Sequence, residues 1–166
     1  MENHAVYIHI PFCRHRCAYC DFITYAGLDN LIPDYVDAVQ REIRSLTESS
    51  RKWFPVHSVF FGGGTPSLLP ASSIEKIIHT LDACFNLSPK AEISLEANPG
   101  TLSFSYLRDL KSVGVNRLSL GMQSAHPLEL AFLERQHRFD DVLKSVKWAR
   151  RTGFDNLSLD LIFGLP

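Results

Sequence analysis

The sequence predicts an α/β fold, a partial (β/α) barrel of about five parallel strands with covering helices. Strand-like and helix-like segments alternate along the chain, and the strands are short runs of Val, Ile, Leu and Phe, as a helix-covered parallel sheet requires. Polar and glycine-rich residues fall within or just after the strands, where α/β sheets bind ligands. At 166 residues and 45% hydrophobic content, residues 1–166 form one domain. A doubly wound sheet is the rival architecture, because local pattern does not fix how strands close.

Val6 to Ile10 is a β-branched and aromatic run stopped by Pro11, the first strand. Leu31, Ile32, Tyr35, Val36, Val39, Ile43 and Leu46 recur at helical spacing, with Asn30 as a cap and Pro33 in the first turn. Val56 to Phe61 is the second strand, ending in Gly62-Gly-Gly-Thr-Pro66. Ser72 with Glu75 reads as a capping box for a helix that buries Ile74, Ile77, Ile78, Leu81, Cys84 and Phe85. The third strand, Glu92 to Glu96, breaks at Asn98-Pro-Gly100, and a helix marked by Tyr106, Leu107, Leu110 and Val113 closes at Gly114. Arg117 to Leu120 is the fourth strand. Phe139 to Arg151 is the fourth helix, with Val142, Leu143, Val146 and Ala149 inward, and Leu157 to Phe163 is the fifth strand.

The chain stops straight after that strand, so it reads as truncated, with the last strand an exposed edge. Lys plus Arg number 17 against 18 acidic residues, for a net charge of -1, which gives no basic stripe for nucleic acid or an anionic membrane. The N-terminus carries no basic leader and no apolar run approaches the ~18 residues of a membrane span, so a cytoplasmic protein is expected.

Three of the four cysteines, Cys13, Cys17 and Cys20, crowd the loop after the first strand. In a reducing compartment, clustered thiols bind metal or do chemistry more often than they form disulfides. C-x3-C-x2-C lets three thiolates converge on one small cluster and leaves one position open, as on a four-iron cluster with one iron free for an outside ligand. The alternative is a structural zinc site with His9 or His15 as fourth ligand, and spacing alone does not separate the two. Cys84 reads as a small core residue.

Other strand-end residues carry two readings each. Gly62 to Gly64 is either a turn or a place where backbone approaches a ligand closely. Glu96 and Asp160 are solvated strand ends, helix caps or ligand contacts. Gln123 is loop or contact, and Arg135 is surface unless a carboxylate ligand is present. His126 and His137 read as surface residues.

The stretches YIHIPFCRHRCAYCDF, FFGGGTPSLL, EANPGT, GVNRLSLGMQS and LSLDLIFGLP span Tyr7 to Pro166. Together they resemble the N-terminal part of radical S-adenosylmethionine proteins of the oxygen-independent coproporphyrinogen oxidase group, and more closely its haem-chaperone branch. The resemblance implies that Cys13, Cys17 and Cys20 bind a 4Fe-4S cluster, whose open iron chelates the amino and carboxylate groups of S-adenosylmethionine. It places Tyr7, Tyr19, Gly63, Gly64 and Thr65 along the cofactor, with Tyr19 near the adenine. Glu96, Gln123 and Asp160 would stand near the ribose, Arg135 would face the methionine carboxylate, and Ile162 would add an apolar wall. Guanidinium suits a carboxylate and acidic side chains suit sugar hydroxyls, in agreement.

The family's chemistry is one-electron cleavage of the sulfonium C-S bond and hydrogen abstraction by the resulting radical, with an electron donor such as flavodoxin or ferredoxin. The decarboxylating oxidases of the group carry a cysteine two residues after the third cluster ligand. Here that position is Phe22, as in the chaperone branch. Haem binding and delivery to an acceptor protein is therefore expected over decarboxylation of porphyrinogen propionates. The resemblance also implies a longer protein, with the rest of the barrel and a C-terminal domain bearing a haem-linked histidine motif.

Overall fold

The computed structural model describes residues 4–49 and 55–165. In chain order the elements are β1 (His4–Ile10), β2 (Phe12–Cys13), β3 (Tyr25–Ala26), α1 (Ile32–Ser49), β4 (Val56–Gly63) and α2 (Ala71–Cys84). They continue with β5 (Leu87–Ala97), α3 (Phe104–Ser112), β6 (Arg117–Gln123), α4 (Pro127–Phe132), α5 (Phe139–Arg151) and β7 (Asn156–Leu161).

One five-stranded sheet runs in the order β1-β4-β5-β6-β7, with every neighbouring pair parallel. Each of these strands lies beside the next along the chain and the order never reverses. A doubly wound sheet needs a reversal, so the sheet is the partial barrel expected from the sequence.

The two faces of the sheet differ because side chains alternate along each strand. Ile8, Ile10, Val59, Phe61, Ile93, Leu95, Leu118 and Leu120 point outward and form one core with residues of α1, α2, α3 and α5. Phe61, Leu95, Leu118 and Leu120 have no exposed surface, and each such side chain contributes roughly 1.5–3 kcal/mol by burial. The inner face carries Tyr7, His9, Phe60, Gly62, Ser94, Glu96, Arg117, Ser119 and Ser158, set by the strand register, with Asp160 two residues beyond Ser158 on the same face of β7. The concave side of the sheet is therefore mostly polar, and it leads to the C-terminal strand ends.

Several local expectations change. Helix α2 starts at Ala71 after Pro70, with Ser73 and Ile74 donating backbone N–H bonds to the Pro70 carbonyl, so the Ser72 and Glu75 capping box does not form. A 3-10 turn, Asp29–Leu31, feeds directly into α1 and takes the place of a cap at Asn30. Strand β5 starts at Leu87 rather than at Glu92, because its first residues pair with Val56 of β4. Leu31, Leu46 and Leu143, expected inward, are exposed. His137, expected at the surface, is 2% exposed, and its Nε2 bonds the Met122 carbonyl at 3.1 Å. Strand β7 is an edge, with Leu161 and Phe163 exposed. No described helix is long and apolar enough to cross a membrane.

Candidate metal centre and cofactor cleft

Pro11 ends β1 and the chain turns at once into the short strand β2, which pairs in parallel with β3. This ladder fixes Cys13 opposite Ala26. The glycine segment after β4 is sewn to the same stretch: Gly64 N–H donates to the Ile10 carbonyl at 2.7 Å and Thr65 N–H to the Phe12 carbonyl at 2.8 Å. Cys13 is thus buried beside Thr65, whose hydroxyl lies 3.7 Å from the thiol sulfur. Burial pushes the Cys13 thiol pKa up, while the hydroxyls of Thr65 and Thr24 oppose the shift. A turn closed by Cys20 N–H on the Cys17 carbonyl, at 3.0 Å, joins the two half-buried thiols that follow.

Two adjoining clefts open at this point. The first, about 290 Å³, is lined by Cys13, Cys17, Cys20 and Arg135. The second, about 360 Å³, is lined by Gly63, Glu96, Gln123, Asp160, Ile162 and Phe22. Tyr19, Cys20, Gly64, Thr65 and Arg135 belong to both, so the thiols and the strand-end carboxylates share a continuous space.

Arg135 is the link between its walls. Its Nη2 donates to the Gly121 carbonyl at 2.8 Å, and its Nη1 lies 3.4 Å from the Tyr19 hydroxyl and 3.9 Å from the Cys17 sulfur. Its buried Nε has no partner. A buried donor without an acceptor is costly, and an anion in the cleft would satisfy it. Across the space, one Glu96 oxygen accepts the Gly63 N–H at 3.1 Å. Burial raises the Glu96 pKa, the Gly63 bond opposes this, and the charge of Asp160 adds to it. Gln123 adopts a left-handed backbone with φ 65° and caps the end of β6, its carbonyl accepting the Ile162 N–H at 3.0 Å.

Of the expected site residues, the structure brings all but Tyr7 onto these clefts. Tyr7 stacks on Phe60 lower on the inner face, and its hydroxyl bonds His9 Nδ1 at 3.1 Å. Sequence reasoning missed Glu134, which holds the cysteine loop: its carboxylate accepts from Ala18 N–H at 3.2 Å and from His15 Nε2 at 3.1 Å. It also missed Asn98 and Thr24. An isolated Glu in a loop leaves no periodic or spacing signal; only the fold brings it to the cysteines.

The zinc alternative finds little support in this geometry. Both His9 nitrogens are engaged, by Tyr7 and by the Ile23 carbonyl, and His15 is held by Glu134.

Residues 7–166 match the family model of the radical SAM superfamily. The chain belongs to that superfamily. Its relatives include the haem chaperone HemW of Synechocystis sp., 45% identical over 98% of this chain and 40% of its own length. The HemW of Bacillus subtilis is 39% identical over 98% of this chain and 43% of its own length. Among solved structures, the radical SAM enzyme coproporphyrinogen III oxidase (HemN) from Escherichia coli superposes with a TM-score of 0.88 at 30% identity, covering 98% of this chain and 37% of that one. The chain spans about two-fifths of the length of these relatives.

Radical SAM membership implies a 4Fe-4S cluster and S-adenosylmethionine, and the donor set fits them. Three thiols face one space, the orphaned Arg135 Nε waits for an anion, and two carboxylates stand at the strand ends. The backbone also leaves room: a Cβ on Gly64 would lie 2.6 Å from the Phe12 carbonyl and 3.0 Å from the Cys13 sulfur.

Proposed function

We propose that this chain is the cofactor-holding part of a HemW-like haem chaperone. In this reading Cys13, Cys17 and Cys20 ligate the cluster, and S-adenosylmethionine fills the adjoining cleft. When bound, the pair supplies one-electron cleavage of a sulfonium C-S bond. Arg135 pairs with the methionine carboxylate, since its guanidinium is permanently charged and forked. Glu96 and Asp160 accept from ribose hydroxyls, Gly63 and Gly64 let the backbone close on the ligand, and Ile162 with Tyr19 keeps water from the adenine side. The observation that carries the reading is the shared space that joins three thiols to Arg135 and the two carboxylates. Haem, its acceptor protein and a one-electron donor such as flavodoxin or ferredoxin are the partners of the whole protein, in a cytoplasmic setting.

Phe22 supports the chaperone over the oxidase: it is 62% exposed on the rim of the cleft, at the position where the family resemblance implies a further cysteine in the decarboxylating oxidases. The second reading, a coproporphyrinogen III oxidase, is favoured by the likeness to HemN. The test is oxygen-free reconstitution of the full protein with iron and sulfide. The proposal expects about four iron and four sulfide per chain, a reduced-state EPR signal that changes with S-adenosylmethionine, and haem binding. Stoichiometric zinc in place of iron would sink the cofactor assignment. Formation of protoporphyrinogen from coproporphyrinogen III would replace the chaperone with the oxidase.

A further inference from the structure

The concave face of the sheet holds a line of polar side chains that the cofactor assignment leaves unused. Arg117 on β6 donates from Nη1 to Ser94 Oγ at 3.1 Å and from Nη2 to Ser158 Oγ at 3.2 Å. Ser158 Oγ lies 2.8 Å from Ser119 Oγ, and Ser119 Oγ donates to Asp160 Oδ1 at 2.8 Å. The far end is anchored too, because Glu92 accepts from Ser94 Oγ at 3.0 Å and from Asn156 Nδ2 at 3.2 Å.

The chemistry of the groups gives this line a direction. A guanidinium only donates, so Ser158 Oγ accepts from Arg117 and its own hydrogen is left for Ser119. Ser119 has one hydrogen, which goes to the Asp160 carboxylate, so its oxygen accepts from Ser158. Every hydroxyl between Arg117 and Asp160 therefore has a single orientation, and successive bonds in such a chain polarise one another. Ser119 is 6% exposed while Asp160 is exposed, so the fixed member is buried and the member it holds opens on the cleft.

We infer that Ser119, oriented by Ser158 and Arg117, is a positioning residue for Asp160: it engages Oδ1 and leaves Oδ2 free to accept from a ribose hydroxyl. This rests on the proposed S-adenosylmethionine site. Strand pairing supports the arrangement, since Ser119 and Ser158 are register partners on β6 and β7.

The test measures the dissociation constants of S-adenosylmethionine and of its 2′-deoxy and 3′-deoxy analogues on the reconstituted full protein, with melting curves for each variant. The parent binds S-adenosylmethionine more tightly than at least one deoxy analogue. Ser119→Ala should weaken the parent ligand about tenfold and erase that preference, as expected when a bond to a charged group is lost. Ser158→Ala should weaken it by less, and the double variant Ser119→Ala/Asp160→Asn should bind no worse than Asp160→Asn alone. A purely structural serine would lower the melting temperature but keep the analogue preference, which would overturn the inference. Additive losses in the double variant would also overturn it. Should Ser119→Ala not fold, Ser158→Ala with an unchanged analogue preference serves as the refuting result. Failure of the parent to bind any of the three ligands refutes the site itself and is recognised by that.

Discussion

The carboxylate of Glu134 accepts the backbone N–H of Ala18 at 3.2 Å, tying the segment after α4 to the cysteine loop 116 residues earlier. Glu134 holds φ 53°, the left-handed region that favours glycine, and its bonds to Ala18 and His15 offset the strain of that backbone. Glu134→Gly should therefore leave fold stability within ~1 kcal/mol of the parent, since relief of strain opposes the lost bonds. Cluster loading should fall roughly fivefold in rate, from about 1 kcal/mol less order in the loop. Iron and sulfide uptake over time, beside a urea melt, checks both halves of the expectation.

Gly64→Ala should strike the cluster far harder. The added Cβ would meet the carbonyls of Phe12 and Ile10 and the Cys13 sulfur at 2.6–3.0 Å, and the carbonyls are backbone that cannot swing aside. Strand β2 must move and carry Cys13 with it. A cost of about 1–3 kcal/mol is expected from overpacking, and iron content after reconstitution should drop below half of the parent value. A variant that loads a full cluster would show that Cys13 is not fixed by this contact.

In the proposed site, Glu96 should cost stability while aiding binding. Burial raises its folded pKa above the ordinary 4.5, so its contribution to stability is complete below that value and is lost as pH rises through the higher folded pKa. Glu96→Gln keeps an acceptor for the Gly63 N–H and removes the buried charge. At pH 7 the ligand-free variant should melt at the parent temperature or above it, with any gap closing below pH 4.5. Its affinity for S-adenosylmethionine should nonetheless fall about tenfold, measured by titration.

His137 should make the fold acid-sensitive. It is 2% exposed, its Nδ1 has no partner, and burial followed by the charge of Arg135 pushes its pKa below 6.5. For a depressed histidine, the stability it confers is whole above 6.5 and is lost as pH falls through the folded value. The urea midpoint of the parent should decline between pH 7 and pH 5 more steeply than that of His137→Gln. Parallel curves would remove His137 from this role.

How much of this could be read in advance depended on how many residues carried each signal. Helix α5 matches the expected Phe139 to Arg151 end for end, because thirteen residues hold several turns of apolar spacing. The ladder of Phe12–Cys13 with Tyr25–Ala26 has two residues a side, too few to show any period. Helix α4, Pro127–Phe132, is six residues long and equally short of a signal. The cysteine segment stood out as a candidate metal site by its spacing, which by itself left iron-sulfur cluster and zinc open. Arg135, Asp160 and Gln123 needed the family resemblance, since nothing local separates them from loop residues. Glu134, Ser119 and the burial of His137 were not legible, because each depends on which distant strand or loop becomes its neighbour.

The alternation of faces on β5 has a consequence for misfolding. Moving that strand by one residue against β4 would turn Ser94 and Glu96 into the oily layer beneath the helices and expose Leu95 to the lumen. A one-residue slip would therefore forfeit the leucine layer and the alignment of the cleft-facing groups together, so the burial that stabilises the sheet also excludes that misalignment of the cleft.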